Sequence, residues 1–217
     1  MSNVIIRGFQ AGDREAVRTI CCDTADRGKP IERFFPDRQC AADLLTGYYT
    51  DYEPSSTFVA QAQGRVVGYI DGCFDNRRYG LVMFWILIPR ALFQGFKNGT
   101  LFRREFWRMA GAMLGNWPRL FAWRKQSFHS HQGHVHISIA EGFRGQHIGE
   151  QLMEAFFNYA RTKGVGEISA SVHDGNTAAC RFLERIGFEV KEHYPMVMAR
   201  GDVWERYNSL LYVKKII

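Results

Sequence analysis

A chain of 217 residues, 46% of them apolar, is long enough for one domain of ordinary size with its own core, or for one domain carrying an insertion. Its five cysteines (Cys21, Cys22, Cys40, Cys73, Cys180) are scattered and odd in number, which argues for reduced thiols and against a disulfide frame. The first residues, MSNVIIRGFQAGDREAV, lack the apolar core of a secretory signal, so a cytoplasmic location is expected.

In chain order, Val4–Arg7 has the alternation of a first strand. Gly12-Asp13 starts a helix running to about Ala25, with Ala16, Val17, Ile20 and Cys21 on its apolar side. Asp26–Asp37 holds Gly28, Pro30 and Pro36 and reads as loop, and Arg38–Tyr49 reads as a second helix. Thr57–Gln63 and Arg65–Phe74 flank Gly64 as a hairpin.

The next fifty residues differ in composition. Segment 77–128 carries ten Lys or Arg against one acid, Glu105, so it holds +9 of charge and leaves −3 on the rest of a chain whose net is +6. Four of the five tryptophans lie in it: Trp85, Trp107, Trp117 and Trp123. Leu81–Ile88 is an apolar run ended by Pro89, and eight residues are too few to cross a bilayer. Asn98 or Thr100 can cap a helix to about Leu114, with Phe102, Phe106, Met109, Ala110 and Met113 on one face and Arg103, Arg104 and Arg108 away from it.

The sharpest pattern follows. His134–Ala140 is strand-like and feeds a loop, Arg144-Gly145-Gln146-His147-Ile148-Gly149. A helix begins at once, with Ile148, Leu152, Phe156 and Tyr159 at helical spacing. The first N–H groups of a helix lack intrahelical partners and the dipole there favours negative charge, so this layout suits an anion. Gly145 lets a phosphate approach the backbone and Arg144 supplies a cation. An ordinary strand–loop–helix with a polar loop has the same local pattern. Glu167–His173 is a further strand; Asn176 precedes a helix with Ala179, Phe182, Leu183 and Ile186 on one side, and Gly187 stops it before Phe188. Val190–His193 and Pro195–Met198 follow, and Asn208–Ile217 reads as a terminal strand.

The order R-G-x-x-I-G, helix, strand, Asn, helix, Gly-Phe over about Gly133–Val190 resembles the GNAT N-acetyltransferase superfamily. The N-terminal half agrees in element order only. The resemblance implies an α/β (α+β) fold with a mixed, mainly antiparallel sheet flanked by helices. In that plan residues 1–217 form a single domain, and the aromatic-rich segment at about 77–128 is a helical insertion between two strands usually joined by a short turn. It implies acetyl-CoA as acyl donor and an amine as acceptor. By the same resemblance, the N–H groups of Gln146, His147, Ile148 and Gly149 cradle the pyrophosphate, Ile137 and Ile139 pair with the pantetheine arm, and Asn176 contacts the cofactor beyond it. A strand bulge near Ala140 would free an N–H for the thioester oxygen.

Two positions depart from the family pattern. His147 stands where Gly is common, and Leu183 stands seven residues beyond Asn176, where a Tyr often reprotonates the thiolate. The strand also lacks the base that the family, when it carries one on this strand, places on the face of Ile137 and Ile139; His134 and His136 fall on the opposite face, which reads as a polar, partly buried position beneath a helix. Catalytic residues are therefore left unassigned. The H-x-H spacing finds no third metal ligand, so no metal is expected. A non-catalytic acetyl-CoA sensor or membrane-recruited scaffold of the same fold is the alternative. For the insertion three readings stay open: packing on the core or in a homodimer, a lid over the site, and peripheral contact with an anionic membrane. Nucleic acid is not expected, because no binding motif accompanies the basic charge.

Overall fold

A computed structural model describes residues 4–130, 133–200 and 202–216. Strand β1 (Val4–Gly8) leads into helix α1 (Arg14–Thr24), a loop, and helix α2 (Arg38–Asp51). Asp37 caps α2 by accepting from the Cys40 N–H at 2.9 Å. The hairpin β2 (Phe58–Ala62) and β3 (Arg65–Cys73) follows, turning through Gln63 and Gly64, both at positive φ. After the insertion come β4 (Gly133–Ile139), a helix at Ile148–Thr162, β5 (Glu167–His173), a helix at Thr177–Arg185, and the long hairpin β6 (Glu189–Arg200) and β7 (Val203–Lys215).

The seven strands form one sheet in the order β1-β2-β3-β4-β5-β7-β6. Every pairing is antiparallel except β4 with β5, and that parallel pair covers only Gly133–Ile168 and His134–Ser169. Beyond those two steps the strands part, and the sheet is split at its centre. One face carries the helix Ile148–Thr162, whose Ile148, Leu152, Met153, Phe156 and Ala160 are buried with Val67, Ile70, Val135 and Ile168. The other face carries α1, which buries Val17, Ile20 and Cys21 against Val59 and Tyr69, and α2, which buries Tyr48 and Tyr49 beside Cys73. Gly72 is where the first layer comes closest: a Cβ there would lie 2.3 Å from the Phe156 ring.

The insertion is helical. Helix α3 (Asn76–Val82) continues through a π-helical turn at Met83–Leu87 into α4 (Ile88–Lys97), giving 22 unbroken helical residues. The sequence reading ends this segment at Pro89. Pro89 instead occupies the first turn of α4, where its missing N–H costs little, and the π turn absorbs the ring. Asn76–Lys97 is consequently long and apolar enough to cross a bilayer by length and composition, unlike the eight-residue run read from sequence. Its inner side is committed to the protein: Val82 and Leu87 pack with Tyr48 and Tyr49, and Ala91 packs with Cys22, Ile31 and Cys40.

A 3-10 turn, Thr100–Phe102, leads to α5 (Arg104–Ser130), longer than the helix to Leu114 read from the sequence and continuous through Pro118. Its buried face also differs from the expected one. Phe106 and Met109 do pack inward, but Phe102 and Met113 are exposed, and Ala112 and Asn116 are buried in their place. The reason is a polar lock on β6. Asn116 Nδ2 donates to the Val197 carbonyl at 2.6 Å while the Val197 N–H donates to Asn116 Oδ1 at 3.0 Å. Asn116→Ala would strand both backbone groups in a buried seam. It is expected to cost about 1–3 kcal/mol in a denaturant melt and to open α5 to limited proteolysis.

Candidate active site

The loop that enters α6 (Ile148–Thr162) is built for an anion. Gly145 and His147 both have positive φ, 75° and 60°, and this turns successive N–H groups toward one side. Among the described residues the N–H groups of Gln146, His147, Ile148 and Gly149 have no acceptor. His147, Ile148 and Gly149, but not Gln146, line a groove of about 500 Å³ together with Arg144, Arg181 and Arg185, with Glu150 as its one acid. The Arg185 guanidinium and the His147 ring flank Glu150 and hold its carboxyl below the ordinary range, the His147 hydrogen bond being the larger cause. Asn176 caps α7 (Thr177–Arg185) by accepting from Ala179 N–H at 3.3 Å and lines the same groove.

The groove runs into the split of the sheet. The Ala140 N–H donates to the Val67 carbonyl at 2.9 Å, and β3 and β4 keep one register from Gly68–Ile139 to Cys73–His134. Alternation then points the N–H and C=O of Ile137 and Ile139 away from β3, into the gap. The resemblance placed a bulge and a free N–H near Ala140. Here β4 runs without a register shift, Ala140 is tied to β3, and the free gap-facing N–H groups are those of Ile137 and Ile139. The Ile139 carbonyl is held by Arg144 Nε at 3.0 Å, and the same guanidinium reaches the Gly28 carbonyl at 3.2 Å, tying β4 to the α1–α2 loop.

On the opposite face of the sheet lies a second cavity of about 470 Å³, walled by Cys21 and Asp26 from the α1 end, Tyr49 from α2, Tyr69 from β3, Tyr79 from α3, and His136 and Ser138 from β4. Seven residues line both cavities, among them Thr24, Ile137, Ser138 and Asn176. The two spaces therefore meet through the parted strands.

The two histidines of β4 have separate fates. His134 is satisfied on both nitrogens: Nδ1 donates to Asn76 Oδ1 at 2.9 Å, and Nε2 accepts from the Tyr49 hydroxyl at 2.8 Å. Burial, with a smaller contribution from His136, pushes its pKa down to about 3. This is the partly buried polar position read from sequence. His136 makes no hydrogen bond among the described residues and turns its ring edge to Tyr49. It retains accessible surface, but that surface belongs to the cavity it lines. Desolvation pushes its pKa down to about 4, which leaves the imidazole neutral at pH 7. Face parity on β4 was legible, and the second cavity lies on the histidine face.

Several wall residues had no local sequence signal, because they come from elements far apart in the chain. Asp26 is chelated by Arg200, with both guanidinium contacts at 2.5 Å, and Arg27 donates to Glu205 at 3.0 Å. His173 stacks on Tyr207 at 4.1 Å between ring centres. Tyr194 packs with Leu211 and Val213. Leu183 is buried in the core, so no hydroxyl stands at the usual position of the acid. Cys180 packs toward the same core.

Asp71 is fully buried, and neither carboxyl oxygen has a hydrogen-bond partner among the described residues. It sits directly across from His136 in the β3–β4 register. Desolvation raises its pKa well above the usual carboxylate range, so the folded state holds a proton that the unfolded chain releases near pH 4. Stability from this residue is then fully present below pH 4 and lost as pH rises. Asp71→Asn is expected to be progressively more stable than the parent from pH 5 to pH 8, by more than about 1 kcal/mol at the upper end, in paired urea melts. A gap that does not change with pH would contradict a protonated Asp71.

The fold agrees with known proteins. The family model for the acetyltransferase (GNAT) family matches residues 25–188. A curated L-methionine sulfoximine/L-methionine sulfone acetyltransferase of Pseudomonas aeruginosa is 28% identical over 103 residues, 48% of this chain; the chain spans about half the length of that relative, 55%. Among solved structures, SsHAT superposes with a TM-score of 0.71 at 20% identity over 99% of both chains. The structure of yncA from Salmonella typhimurium with its cofactor acetyl-CoA superposes at 0.59, with 14% identity, over 100% of this chain and 95% of that one. The polyamine N-acetyltransferase of Drosophila melanogaster gives 0.60 at 13% identity, over 98% and 100%.

Proposed function

Because the chain belongs to the GNAT family of acetyltransferases, whose acyl donor is acetyl-CoA, we propose that it moves the acetyl group from acetyl-CoA directly to a primary amine held in the second cavity. The observation that carries this reading is the junction of two cavities through the parted β4 and β5. The pyrophosphate rests on the N–H groups of Gln146–Gly149, with Arg144, Arg181 and Arg185 around it. The pantetheine arm runs along Ile137 and Ile139, and Asn176 meets it across the groove. A free N–H of the gap-facing pair donates to the thioester oxygen as negative charge develops on it, with no reorganisation because the strand already holds that N–H in place.

The amine approaches from the His136 side. The neutral imidazole takes the proton that the attacking nitrogen sheds, directly or through one water, and the C–S bond breaks to release CoA thiolate. The thiolate is a good enough leaving group to depart without a dedicated acid, which fits Leu183 at that position. Cys21 also lines the acceptor cavity, but burial pushes its thiol up to about 12, so it supplies no thiolate for an acetyl-cysteine intermediate. Direct attack is left as the route.

A sensor of acetyl-CoA would need the anion groove alone. The second cavity and its unpaired imidazole are explained by transfer. The acceptor screen begins with methionine sulfoximine and methionine sulfone, the named substrates of the curated relative, and extends to other primary amines. The result expected is an N-acetylated product, found by mass spectrometry, that forms only when protein and acetyl-CoA are both present. Tight CoA binding with no product from any primary amine would favour the sensor.

A further inference from the structure

The outer side of the insertion is bare. Along α3, the π turn, α4 and the turn that follows, Trp85, Ile88, Leu92, Phe93, Phe96 and Phe102 are all exposed, Trp85 by 70% and Phe102 by 75%. The Phe96 and Phe102 rings lie 5.8 Å apart, so the apolar ridge continues around the corner between α4 and α5. Soluble monomers rarely leave so large an aromatic surface uncovered without a use for it. Neither cavity uses it: Tyr79 is the insertion's one contribution to their walls among the described residues.

We propose that this ridge seats on an anionic membrane surface, with the helix Asn76–Lys97 lying in the plane of the interface. Charge selects the occupant. Residues 76–104 contain six cations, Arg77, Arg78, Arg90, Lys97, Arg103 and Arg104, and no acid. A second copy docked on the same face would oppose like charges along the whole ridge, whereas an anionic lipid surface matches them. The cations bracket the apolar stretch, with Arg77 and Arg78 at one end and Lys97, Arg103 and Arg104 at the other. Lys97 lays its ammonium over the Phe93 ring at 4.9 Å, an arrangement suited to the headgroup level. The helix lies along the surface and does not cross it. Val82, Leu87 and Ala91 cover α2 and its neighbours, and Cys40 Sγ reaches the Ala91 carbonyl at 3.6 Å. A crossing helix would strip that cover from the core. This inference is independent of the acyl-transfer reading.

Co-sedimentation with vesicles tests it, comparing phosphatidylcholine alone with phosphatidylcholine mixed with phosphatidylserine. The protein is expected to bind the mixed vesicles at least about tenfold more tightly, and to come off at high salt. Trp85→Ser with Phe93→Ser should abolish binding while the thermal melt stays that of a folded protein. Arg77→Glu with Arg103→Glu keeps the apolar ridge, so it should lose only the preference for phosphatidylserine. Equal partition into both vesicle types, or none, would overturn the proposal. So would a dimer in sedimentation velocity that the Trp85 and Phe93 changes dissociate.

Discussion

Arg144→Glu and Gly145→Phe are each expected to weaken acetyl-CoA binding more than tenfold, on the order of 1.4 kcal/mol, in a calorimetric titration. The two act by different routes. Gly145 sits at φ 75°, where an L side chain is strained whatever space surrounds it, and its turn sets the direction of the N–H groups that follow. Arg144 is exposed and holds the Ile139 carbonyl and the Gly28 carbonyl. Reversing its charge removes a cation from the phosphate groove, unties β4 from the α1–α2 loop, and sets a carboxylate against the anion. His147→Gly is the informative companion, because the αL backbone at φ 60° suits glycine better than histidine. Unchanged CoA affinity in both Arg144→Glu and Gly145→Phe would remove the groove as the cofactor site.

The paired histidines give the second large effect, and it is a contrast. His136→Ala is expected to lower turnover about a hundredfold with acetyl-CoA affinity retained, the range for loss of a positioned general base. His134→Ala is expected to leave the turnover of folded protein near the parent value and to cost stability instead. It removes the partner of Asn76 Oδ1 and one partner of the Tyr49 hydroxyl, at about 1–3 kcal/mol for a buried group left unpaired. Both histidines also shape the pH dependence of stability, because both pKa values are lowered in the fold. The folded His134 pKa lies near 3, below the unfolded value near 6.5, so the unfolded chain binds more protons between those limits. The parent therefore loses stability as pH falls from 6.5 toward 3, and His134→Ala should flatten that slope in urea melts. A large turnover loss in His134→Ala, with none in His136→Ala, would reverse the assignment.

How much of this was legible in the sequence depends on how local each feature is. The strand–loop–helix at residues 134–163 could be read because its signals are consecutive: an apolar strand, Gly145 at a left-handed turn, and an apolar helical stripe through Ile148, Leu152 and Phe156. Asn176 and Gly187 mark the next helix by capping chemistry that needs no tertiary partner. The acceptor cavity could not be read in the same way. Its walls come from Cys21, Tyr49, Tyr69, Tyr79 and His136, and only the sheet order brings them together. Parity along β4 correctly divided Ile137 and Ile139 from the histidines. It could not say which face holds the acceptor, because that is decided by where α1 and α2 pack. The insertion misled in a physical way as well. Pro89 reads as a stop, yet a π turn before it lets the helix run on, and the buried face of α5 is set by Asn116 on Val197, not by its largest apolar residues.

The proposed direct transfer across the junction of the two cavities has acetyl-CoA and the amine bound to the protein together. Initial-rate kinetics with both substrates varied, using an acceptor from the amine screen, tests this most directly. Intersecting double-reciprocal lines are expected, with the intact protein showing no acetylated form after incubation with acetyl-CoA alone. Parallel lines together with a protein-bound acetyl group would mean that the acetyl moves through an enzyme nucleophile, and would contradict direct transfer across the parted strands.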